Sequence, residues 1–216
     1  MEKKVSASVI NRLPRYYRYL GELYMSGIER ISSKELSEKM QVTASQIRQD
    51  LNCFGGFGQQ GYGYNVEYLY GEIGTILGLS NGYTAILVGA GNMGKAFTTN
   101  TNFERRGFRL IGIFDKDPAK IGKQISTKAR ELEVLDYRNI KAFIEKEKPT
   151  MAIIAVPRDS VSDVISELRS FGIKAFLNFS YTEVASSDDT VVENVHLGDS
   201  LMRLCFKIAD SEEKYD

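Results

Sequence analysis

The chain has 216 residues, of which 43% are hydrophobic and 26% charged, and its formal net charge is zero. This length allows one large domain or two small ones, and the composition is that of an ordinary globular protein. The balanced charge excludes a chain that is basic throughout, so any contact with nucleic acid has to come from a local concentration of basic residues.

The sequence has no apolar run long enough to span a bilayer and no apolar leader at its N-terminus, so we expect a cytoplasmic protein without membrane contact. Its two cysteines, Cys53 and Cys205, lie far apart, and we expect buried or idle thiols rather than a disulfide. With one histidine, His196, a zinc site is not expected, and no ligand spacing predicts another metal.

The first twenty residues are locally basic. Set against Glu2 alone, the basic residues of this arm are Lys3, Lys4, Arg12, Arg15 and Arg18. Such an arm can meet phosphates, although a solvated terminus is the simpler interpretation. Apolar residues at helical spacing predict a first helix over Asn11–Met25, where Pro14 is tolerated near the start and Gly27 marks the end.

Two helix starts follow in quick succession. Ser32 and Glu35 have the spacing of a capping box, and Thr43 and Gln46 repeat it. Two short capped helices joined by a tight turn are typical of a helix-turn-helix. The predicted helices are Ser33–Met40 and Ala44 to about Cys53.

A glycine-rich segment comes next. Five of the eleven residues from Phe54 to Tyr64 are glycine, which disfavours a helix and suits a tight hairpin. A hairpin directly after a helix-turn-helix is a wing, with Gln59 and Gln60 at its tip. An amphipathic helix over Asn65–Leu77 closes this part, so we expect residues 1–79 to form a winged-helix DNA-binding domain.

The second helix of a helix-turn-helix enters the major groove of DNA, where its first residues face base edges. Arg48 has the donors to read guanine, and a glutamine can pair with adenine. Polar residues on a helix are more often only solvated, and the acidic Asp50 counts against DNA binding. Taken with the arm and the wing, the pattern predicts the DNA-binding residues Arg12, Arg15, Ser45, Gln46, Arg48, Gln49, Gln59 and Gln60.

A polar turn at Leu79–Gly82 precedes an alternation of strands and helices. The predicted strands are Thr84–Val88, Leu110–Phe114, Glu133–Leu135, Met151–Val156, Ala175–Asn178 and Val191–Val195. The predicted helices are Met93–Arg105, Tyr137–Glu147 and Asp159–Phe171. This order predicts an α/β fold with a Rossmann-like, doubly wound parallel sheet over residues 80–198.

The first of these strands opens into G-x-G-x-x-G at Gly89, Gly91 and Gly94, and Asp115 follows about twenty residues later. Gly89 allows the tight turn, Gly91 lets the backbone approach a pyrophosphate, and Gly94 lets the helix pack closely on the sheet. Asp115 is placed to accept hydrogen bonds from ribose hydroxyls. A carboxylate there repels a 2′-phosphate, so NAD is favoured over NADP, a preference that Lys116 weakens slightly.

The nicotinamide half of a dinucleotide is expected at the carboxyl ends of the later strands. Val156 and Pro157 end one such strand, and 178–180 follow another; Pro157 would end a strand in any case. The predicted cofactor-binding residues are Gly89, Ala90, Gly91, Asn92, Met93, Gly94, Asp115, Lys116, Val156, Pro157, Asn178, Phe179 and Ser180.

No catalytic residue is predicted. His196 could serve hydride transfer, but a dehydrogenase also needs a substrate anchor and usually a substrate domain, for which no room is left between Asp115 and Asp199. A lone histidine near a strand end is more often structural. The last segment, Asp199–Ala209, is a predicted helix too apolar for a free tail, and another subunit is one surface that could bury it.

Several of these stretches together closely resemble the Rex family of redox-sensing transcriptional repressors. The matching stretches are Arg12–Arg18, Ile47–Leu51, Phe57–Tyr64, Gly89–Gly94, Phe114–Asp115 and Leu201–Phe206. The resemblance covers essentially the whole chain. It implies a homodimer in which the C-terminal helix, 199–216, is swapped against the partner's cofactor domain. It also implies binding to palindromic double-stranded operator DNA, with NADH as the ligand that releases the DNA and NAD⁺ either competing weakly or favouring the DNA-bound form.

The chain departs from the family pattern at three positions. Gln49 stands where the family often has lysine beside the recognition-helix arginine. Asn100 and His196 stand where the family often has a tyrosine and an acidic residue of the partner chain that are linked to each other. The departures at Asn100 and His196 concern a tyrosine-based redox switch and not cofactor binding itself.

The residues therefore favour an NADH-responsive repressor. Two alternatives stay open: an NAD-dependent dehydrogenase with an unusual N-terminal cap, and a nucleotide-gated scaffold that binds protein rather than DNA.

Overall fold

The computed structural model describes residues 5–55, 57–59, 62–101 and 107–212. Contacts between residues are concentrated within two compact units of the chain, Met1–Asn81 and Gly82–Asp216. Each unit has its own hydrophobic core. Among the described residues, no helix is long and apolar enough to cross a membrane.

The first unit is a winged helix-turn-helix. Its elements are α1 (Ala7–Met25), β1 (Arg30–Ile31), α2 (Ser33–Met40), α3 (Ala44–Asn52), β2 (Gly58–Gln59), β3 (Gly63–Asn65) and α4 (Val66–Ile76). Strand β3 lies between β1 and β2 and is antiparallel to both. The predicted hairpin is confirmed, since Gly58 pairs with Tyr64 and Gln59 with Gly63.

Helix α1 begins at Ala7, so the predicted start at Asn11 was wrong. Pro14 lies well inside the helix, where it removes one backbone donor. The helix continues through it because its apolar stripe is buried on both sides of the proline, from Val9 to Leu23. The predicted end is confirmed: Gly27 has a φ of 73°, and the N–H groups of residues 27 and 28 donate to the carbonyls of residues 24 and 23.

The two predicted capping boxes differ. Ser32 and Glu35 exchange both hydrogen bonds, so the first box is complete. At the second, Thr43 accepts a hydrogen bond from the backbone N–H of Gln46. The Gln46 side chain does not return the bond but donates to Asp50, so the prediction of a second full box was wrong. In a full capping box the Gln46 carbonyl oxygen would accept from the N-cap N–H, whereas here the NH₂ end of the amide is held by a charge-assisted hydrogen bond to the Asp50 carboxylate one turn away.

The second unit is an α/β domain. Its elements are β4 (Tyr83–Val88), α5 (Asn92–Asn100), β5 (Phe108–Asp115), β6 (Gln124–Ser126), β7 (Glu131–Asp136), α6 (Ile140–Glu147), β8 (Met151–Ile154), α7 (Val161–Ser170), β9 (Ala175–Asn178), β10 (Val191–Asn194) and α8 (Leu197–Glu212). The sheet order is β10-β9-β8-β4-β5-β7-β6. The order reverses between β4 and β8, as in a doubly wound fold, and the carboxyl ends of the strands there form the usual ligand crevice.

Three details of the predicted α/β domain were wrong. Strand β6, which was not predicted, runs antiparallel to β7 at the sheet edge; with one buried residue, Ile125, it has no readable period. Strand β8 ends at Ile154, before Val156. Helix α5 ends at Asn100, because Thr101 has extended backbone, and the remainder of its predicted span lies among residues 102–106, outside the described residues.

Helix α8 is the least covered element of the second unit. Leu201, Met202, Leu204 and Phe206 are each more than half exposed. Cys205 on this helix is exposed too, as is Cys53, so neither thiol is buried, and that the two thiols are idle stays a prediction. The predicted apolar tail is thus a helix whose apolar side chains lie in solvent in a single chain.

Candidate functional site

A cavity of about 640 Å³ opens at the carboxyl ends of β4, β5 and β8. Eight of the thirteen predicted cofactor residues line it: Gly89, Gly91, Asn92, Met93, Asp115, Lys116, Val156 and Pro157. The cavity therefore lies where the sheet order reverses, at the position at which doubly wound folds bind nucleotides.

The three motif glycines have different surroundings. A Cβ on Gly89 would overlap the carbonyl oxygen of Ala155, and Gly89 also has a φ of 100°. A Cβ on Gly94 would overlap the carbonyl oxygen of Gly89. A Cβ on Gly91 would meet no atom within 4 Å. The fold itself thus requires Gly89 and Gly94, whereas Gly91 borders open space that a ligand can occupy.

Helix α5 begins beside this space. Its N-cap, Gly91, has no side chain to satisfy the first N–H groups, and no capping hydrogen bond forms there. The unpaired N–H groups and the helix dipole favour an anion at this end. A glycine cradle in front of a helix N-terminus fits the pyrophosphate of a dinucleotide.

Asp115 lies at the end of β5 and faces the same cavity. Its Oδ2 accepts from the backbone N–H of Ala90 at 2.8 Å and from Lys120 Nζ at 3.1 Å, and its Oδ1 accepts from the N–H of Asp117 at 2.9 Å. Burial raises the pKa of Asp115, but these hydrogen bonds outweigh burial and hold the pKa below its ordinary value. The side chain is therefore a carboxylate at neutral pH.

Sequence reasoning missed part of the cavity wall, namely Val88, Asp117, Lys120, Tyr137, Ala155, Ser160 and Val164. Lys116 Nζ lies 4.7 Å from the centre of the Tyr137 ring. The Tyr137 hydroxyl donates to Glu167 at 2.6 Å. Burial is the main cause that raises the pKa of this hydroxyl, and the hydrogen bond to Glu167 raises it further. No sequence motif marks Tyr137, which reaches the cavity because it directly follows β7, the neighbour of β5 in the sheet.

Five predicted cofactor residues lie outside the cavity. Ala90 and Gly94 are buried beside it, in the turn and the helix start. Asn178 is buried and donates to the Thr182 carbonyl and to Asn194, while it accepts from the N–H of Ser180. The ring of Phe179 packs on that of Phe97, with centroids 4.8 Å apart. These contacts hold the chain after β9 in place, and the structure does not bring that chain into the cavity.

In the first unit, α3 presents a polar face. Ser45, Arg48 and Gln49 are exposed and share one side of the helix, opposite the buried Ile47 and Leu51. The spacing of three and four residues makes them neighbours on the surface. This face has the donors and acceptors that base edges and phosphates require.

Other predicted DNA contacts have partners inside the unit. Arg12 donates to Asp50 from Nε at 2.6 Å and from Nη2 at 2.8 Å, and Gln46 donates to Asp50 at 2.8 Å. The Arg48 guanidinium donates to Ser33 Oγ at 3.0 Å, while Arg15 lies 5.8 Å from the Tyr19 ring centre. Gln60 and the side chain of Gln59 lie outside the described residues.

Comparison with known proteins agrees with this arrangement. The family model "Putative DNA-binding protein N-terminus" matches residues 4–52, and the model "CoA binding domain" matches residues 81–182. The redox-sensing transcriptional repressor Rex of Thermoanaerobacter pseudethanolicus is 51% identical over 97% of this chain and 92% of its own length. Rex of Clostridium perfringens strain SM101 is 49% identical over 99% of this chain and all of its own.

This chain belongs to the Rex family. Two crystal structures of the Rex-family repressor RSP match it over 99% of its length. RSP in complex with β-NAD⁺ and operator DNA has a TM-score of 0.87 at 48% identity, and 96% of that chain is covered. RSP in complex with β-NADH has a TM-score of 0.87 at 45% identity, and all of that chain is covered.

Membership of the Rex family decides between the classes of protein that the sequence left open. The relatives matched over nearly the whole chain are named as transcriptional repressors, and they contradict the interpretation of this Rex protein as a dehydrogenase with an N-terminal cap. The dinucleotide fold in a Rex chain belongs to a regulator.

The residues at which this Rex chain departs from the family pattern lie on both units. Gln49 is exposed on α3. Asn100 is exposed at the end of α5, where it donates to the carbonyl of Ala96 at 2.8 Å. His196 is half-buried between β10 and α8, and its carbonyl accepts from the N–H of Asp199.

Proposed function

We propose that this Rex protein is an NADH-responsive repressor that binds palindromic operator DNA as a homodimer and leaves it when NADH binds. One observation carries the proposal: a glycine cradle with a carboxylate anchor lies in the same chain as a winged helix-turn-helix that exposes Arg48. RSP, which is similar over nearly the whole chain, has been crystallised with operator DNA and with both cofactor forms.

The cofactor is NADH or NAD⁺, which differ by one hydride and by the positive charge of the nicotinamide ring. The backbone at Gly89–Gly94 and the N-terminus of α5, with Asn92 and Met93, hold the pyrophosphate. Asp115 accepts from the ribose on the adenine side, with Lys116 beside it. Val156 and Pro157 border the nicotinamide side, whereas Asn178, Phe179 and Ser180 follow the neighbouring strand and lie outside the cavity. The lining of the cavity by Asp115, Val156 and Pro157 supports this assignment.

The DNA-binding surface consists of α3, the basic arm and the wing tip with Gln59 and Gln60. Arg48 reads guanine, Gln46 or Gln49 reads adenine, and Ser45 binds a phosphate. The exposure of the α3 face supports this assignment. Arg12 and Arg15 belong to the basic arm by their place in the sequence.

The dimer is formed through α8, which is swapped against the cofactor domain of the partner. The exposure of Leu201, Met202, Leu204 and Phe206 in the single chain supports this step. The domains are 1–79, which binds DNA, 80–198, which binds the cofactor, and 199–216, which is exchanged. Because the dimer is symmetric, its operator is a palindrome. The protein acts in the cytoplasm, where it meets its operator.

NADH acts by shifting a two-state equilibrium. It can release DNA only to the extent that it binds the DNA-free state more tightly than the DNA-bound state, and by linkage operator DNA lowers the affinity for NADH by the same factor. NAD⁺ competes for the same cavity.

The test is a titration of a labelled palindromic duplex, selected by the protein from a randomised pool, with NADH and with NAD⁺. NADH is expected to release the duplex, and NAD⁺ to oppose that release. Arg48→Ala should remove binding to the duplex, and Asp115→Ala should remove the response to NADH while DNA binding remains. Failure of the wild-type protein to select any duplex would overturn the proposal and favour the protein-binding scaffold, and catalytic oxidation of NADH would revive the enzyme.

A further inference from the structure

The first unit contains a buried carboxylate that none of the roles above uses. Asp50 lies on α3 with its side chain only 1% exposed. It accepts four hydrogen bonds: two from Arg12, one from the Tyr16 hydroxyl at 2.9 Å, and one from Gln46 Nε2. An ionised carboxylate has about four acceptor positions, so this one is saturated.

The network joins two helices at one point. Arg12 and Tyr16 lie on α1, whereas Gln46 and Asp50 lie one turn apart on α3. The Arg12 guanidinium meets the carboxylate side on, with one nitrogen for each oxygen, which fixes direction as well as distance. The contacts from α1 thus hold the carboxylate in place independently of its hydrogen bond to Gln46.

The immobilised carboxylate decides which end of the Gln46 amide points outward. A carboxylate can only accept hydrogen bonds, so it selects the NH₂ end of the amide and repels the carbonyl end. Among the described residues no donor is bonded to Gln46 Oε1, which leaves that oxygen as an acceptor next to the exposed face of Ser45, Arg48 and Gln49.

Arg12 is neutralised in the same contact. Two of its nitrogens are bonded to Asp50, and the ion pair has no net charge. A phosphate contact requires an uncompensated cation, because the salt dependence of DNA binding comes from counterions that such cations displace. Arg12 is therefore poorly suited to the phosphate contact that its place in the basic arm suggested.

We infer that Asp50, held by Arg12 and Tyr16, orients the Gln46 amide so that one base pair in each half-site is read, and that Arg12 is a positioning residue rather than a DNA contact. The inference rests on the proposed function, since it requires that α3 reads DNA. It assigns the acidic residue of the recognition helix a part in specificity.

The experiment uses the full-length protein and the selected palindromic duplex, together with duplexes substituted at each base pair of the half-site. Gln46→Met is expected to lower the preference at one base pair by roughly 5- to 150-fold. An asparagine at position 50 offers both a donor and an acceptor, so Asp50→Asn no longer fixes the orientation of the Gln46 amide and should lower the preference at the same base pair. The double variant with Gln46→Met should lose no more preference than Gln46→Met alone. A base pair whose preference Gln46→Met leaves unchanged serves as the matched control and should also be unaffected by Asp50→Asn.

Arg12 is tested by the salt dependence of binding, which a structural role does not change. Arg12→Ala and Arg12→Lys should weaken the preference at the Gln46 base pair, with Arg12→Lys retaining more of it, and both should keep the wild-type slope of log affinity against log salt. Arg15→Ala is the matched control and should lower that slope by about one. If Arg12→Ala lowers the slope by about one and leaves the base preference intact, Arg12 is a phosphate contact and the inference is wrong.

The outcomes separate this inference from the proposed function. If Gln46→Met changes no base preference while Arg48→Ala still abolishes binding, only the inference fails. If the wild-type protein selects no duplex, the proposed function fails with it. Gln46→Met keeps the test valid should Arg12→Ala unfold, because it leaves Asp50 its partners Arg12 and Tyr16.

Discussion

Each unit of this Rex protein contains a carboxylate paired with a cation, and the two pairs differ in how open the carboxylate is to a ligand. Asp50 in the first unit is 1% exposed and accepts four hydrogen bonds, which saturate it. Asp115 in the second unit is 10% exposed, accepts three from described residues, and borders a cavity. With about four acceptor positions on a carboxylate, Asp115 retains one for a ligand.

The comparison teaches that a perturbed carboxylate is not by itself a binding site. Both residues have a pKa below the ordinary value, and in both the hydrogen bonds outweigh the effect of burial, which acts in the opposite direction. What distinguishes them is the unused acceptor and the adjacent space. The predictions below test this difference through the free energy of unfolding, measured at fixed protein concentration because a dimer's stability depends on it.

The largest effect is expected for Arg12→Ala. It leaves the Asp50 carboxylate buried without its cation, which should lower the free energy of unfolding by about 3 kcal/mol. Urea unfolding, with amide hydrogen exchange to locate the change in the first unit, measures it. Lys34→Ala, which removes an exposed cation on α2, is the control and should change stability by less than about 0.5 kcal/mol. Equal losses of stability in Arg12→Ala and Lys34→Ala would mean that the Asp50 carboxylate becomes hydrated once Arg12 is removed.

The second effect concerns acid. Because the pKa of Asp50 is lower in the folded than in the unfolded chain, its contribution to stability is present above the unfolded pKa and is lost as the pH falls through the folded pKa. The wild-type first unit should therefore lose stability below about pH 4, by at most about 1.4 kcal/mol per pH unit for this one proton. Urea unfolding between neutral pH and the acid range measures it. Asp50→Asn should be less stable at neutral pH and fall less steeply, and parallel curves would contradict the prediction.

A smaller effect is expected for Lys120→Ala in the second unit. Asp115 keeps the N–H groups of Ala90 and Asp117 and can be hydrated from the cavity, so the loss should be at most about 1 kcal/mol. Thermal unfolding measures it, with the exposed Lys123→Ala as control. A loss as large as that of Arg12→Ala would show that Asp115 is as closed as Asp50.

The smallest effect on stability is expected for Gly91→Ala. The added Cβ meets no atom within 4 Å, so the free energy of unfolding should change by less than about 0.5 kcal/mol. The same methyl group occupies the space assigned to the pyrophosphate, so NADH binding, followed by its fluorescence, should be lost. Gly94→Ala is the matched control: its Cβ overlaps the Gly89 carbonyl oxygen, and it should destabilise the unit itself. Normal NADH binding by Gly91→Ala would contradict the assignment of the cradle.

Much of the fold could be predicted because its signals are local. The capping box at Ser32, the hairpin after α3 and the strand that opens into the glycine motif each lie within a few residues of sequence. The Gly89–Gly94 motif and Asp115 of the candidate site could be identified in the same way, by spacing. Tyr137 and Lys120 could not, because they reach the cavity through strand order and a loop rather than through a motif.

The sequence by itself determined the class of each unit, because helix caps, hairpin glycines and the dinucleotide motif act over one or two turns of chain. Only the tertiary structure decided which partners the charged residues have. Arg12 and Asp50 are 38 residues apart, and Ala90 and Asp115 are 25 apart, so no periodicity links either pair. Tertiary packing brings each carboxylate to its partners. It encloses Asp50 against α1 and leaves Asp115 open to a cavity.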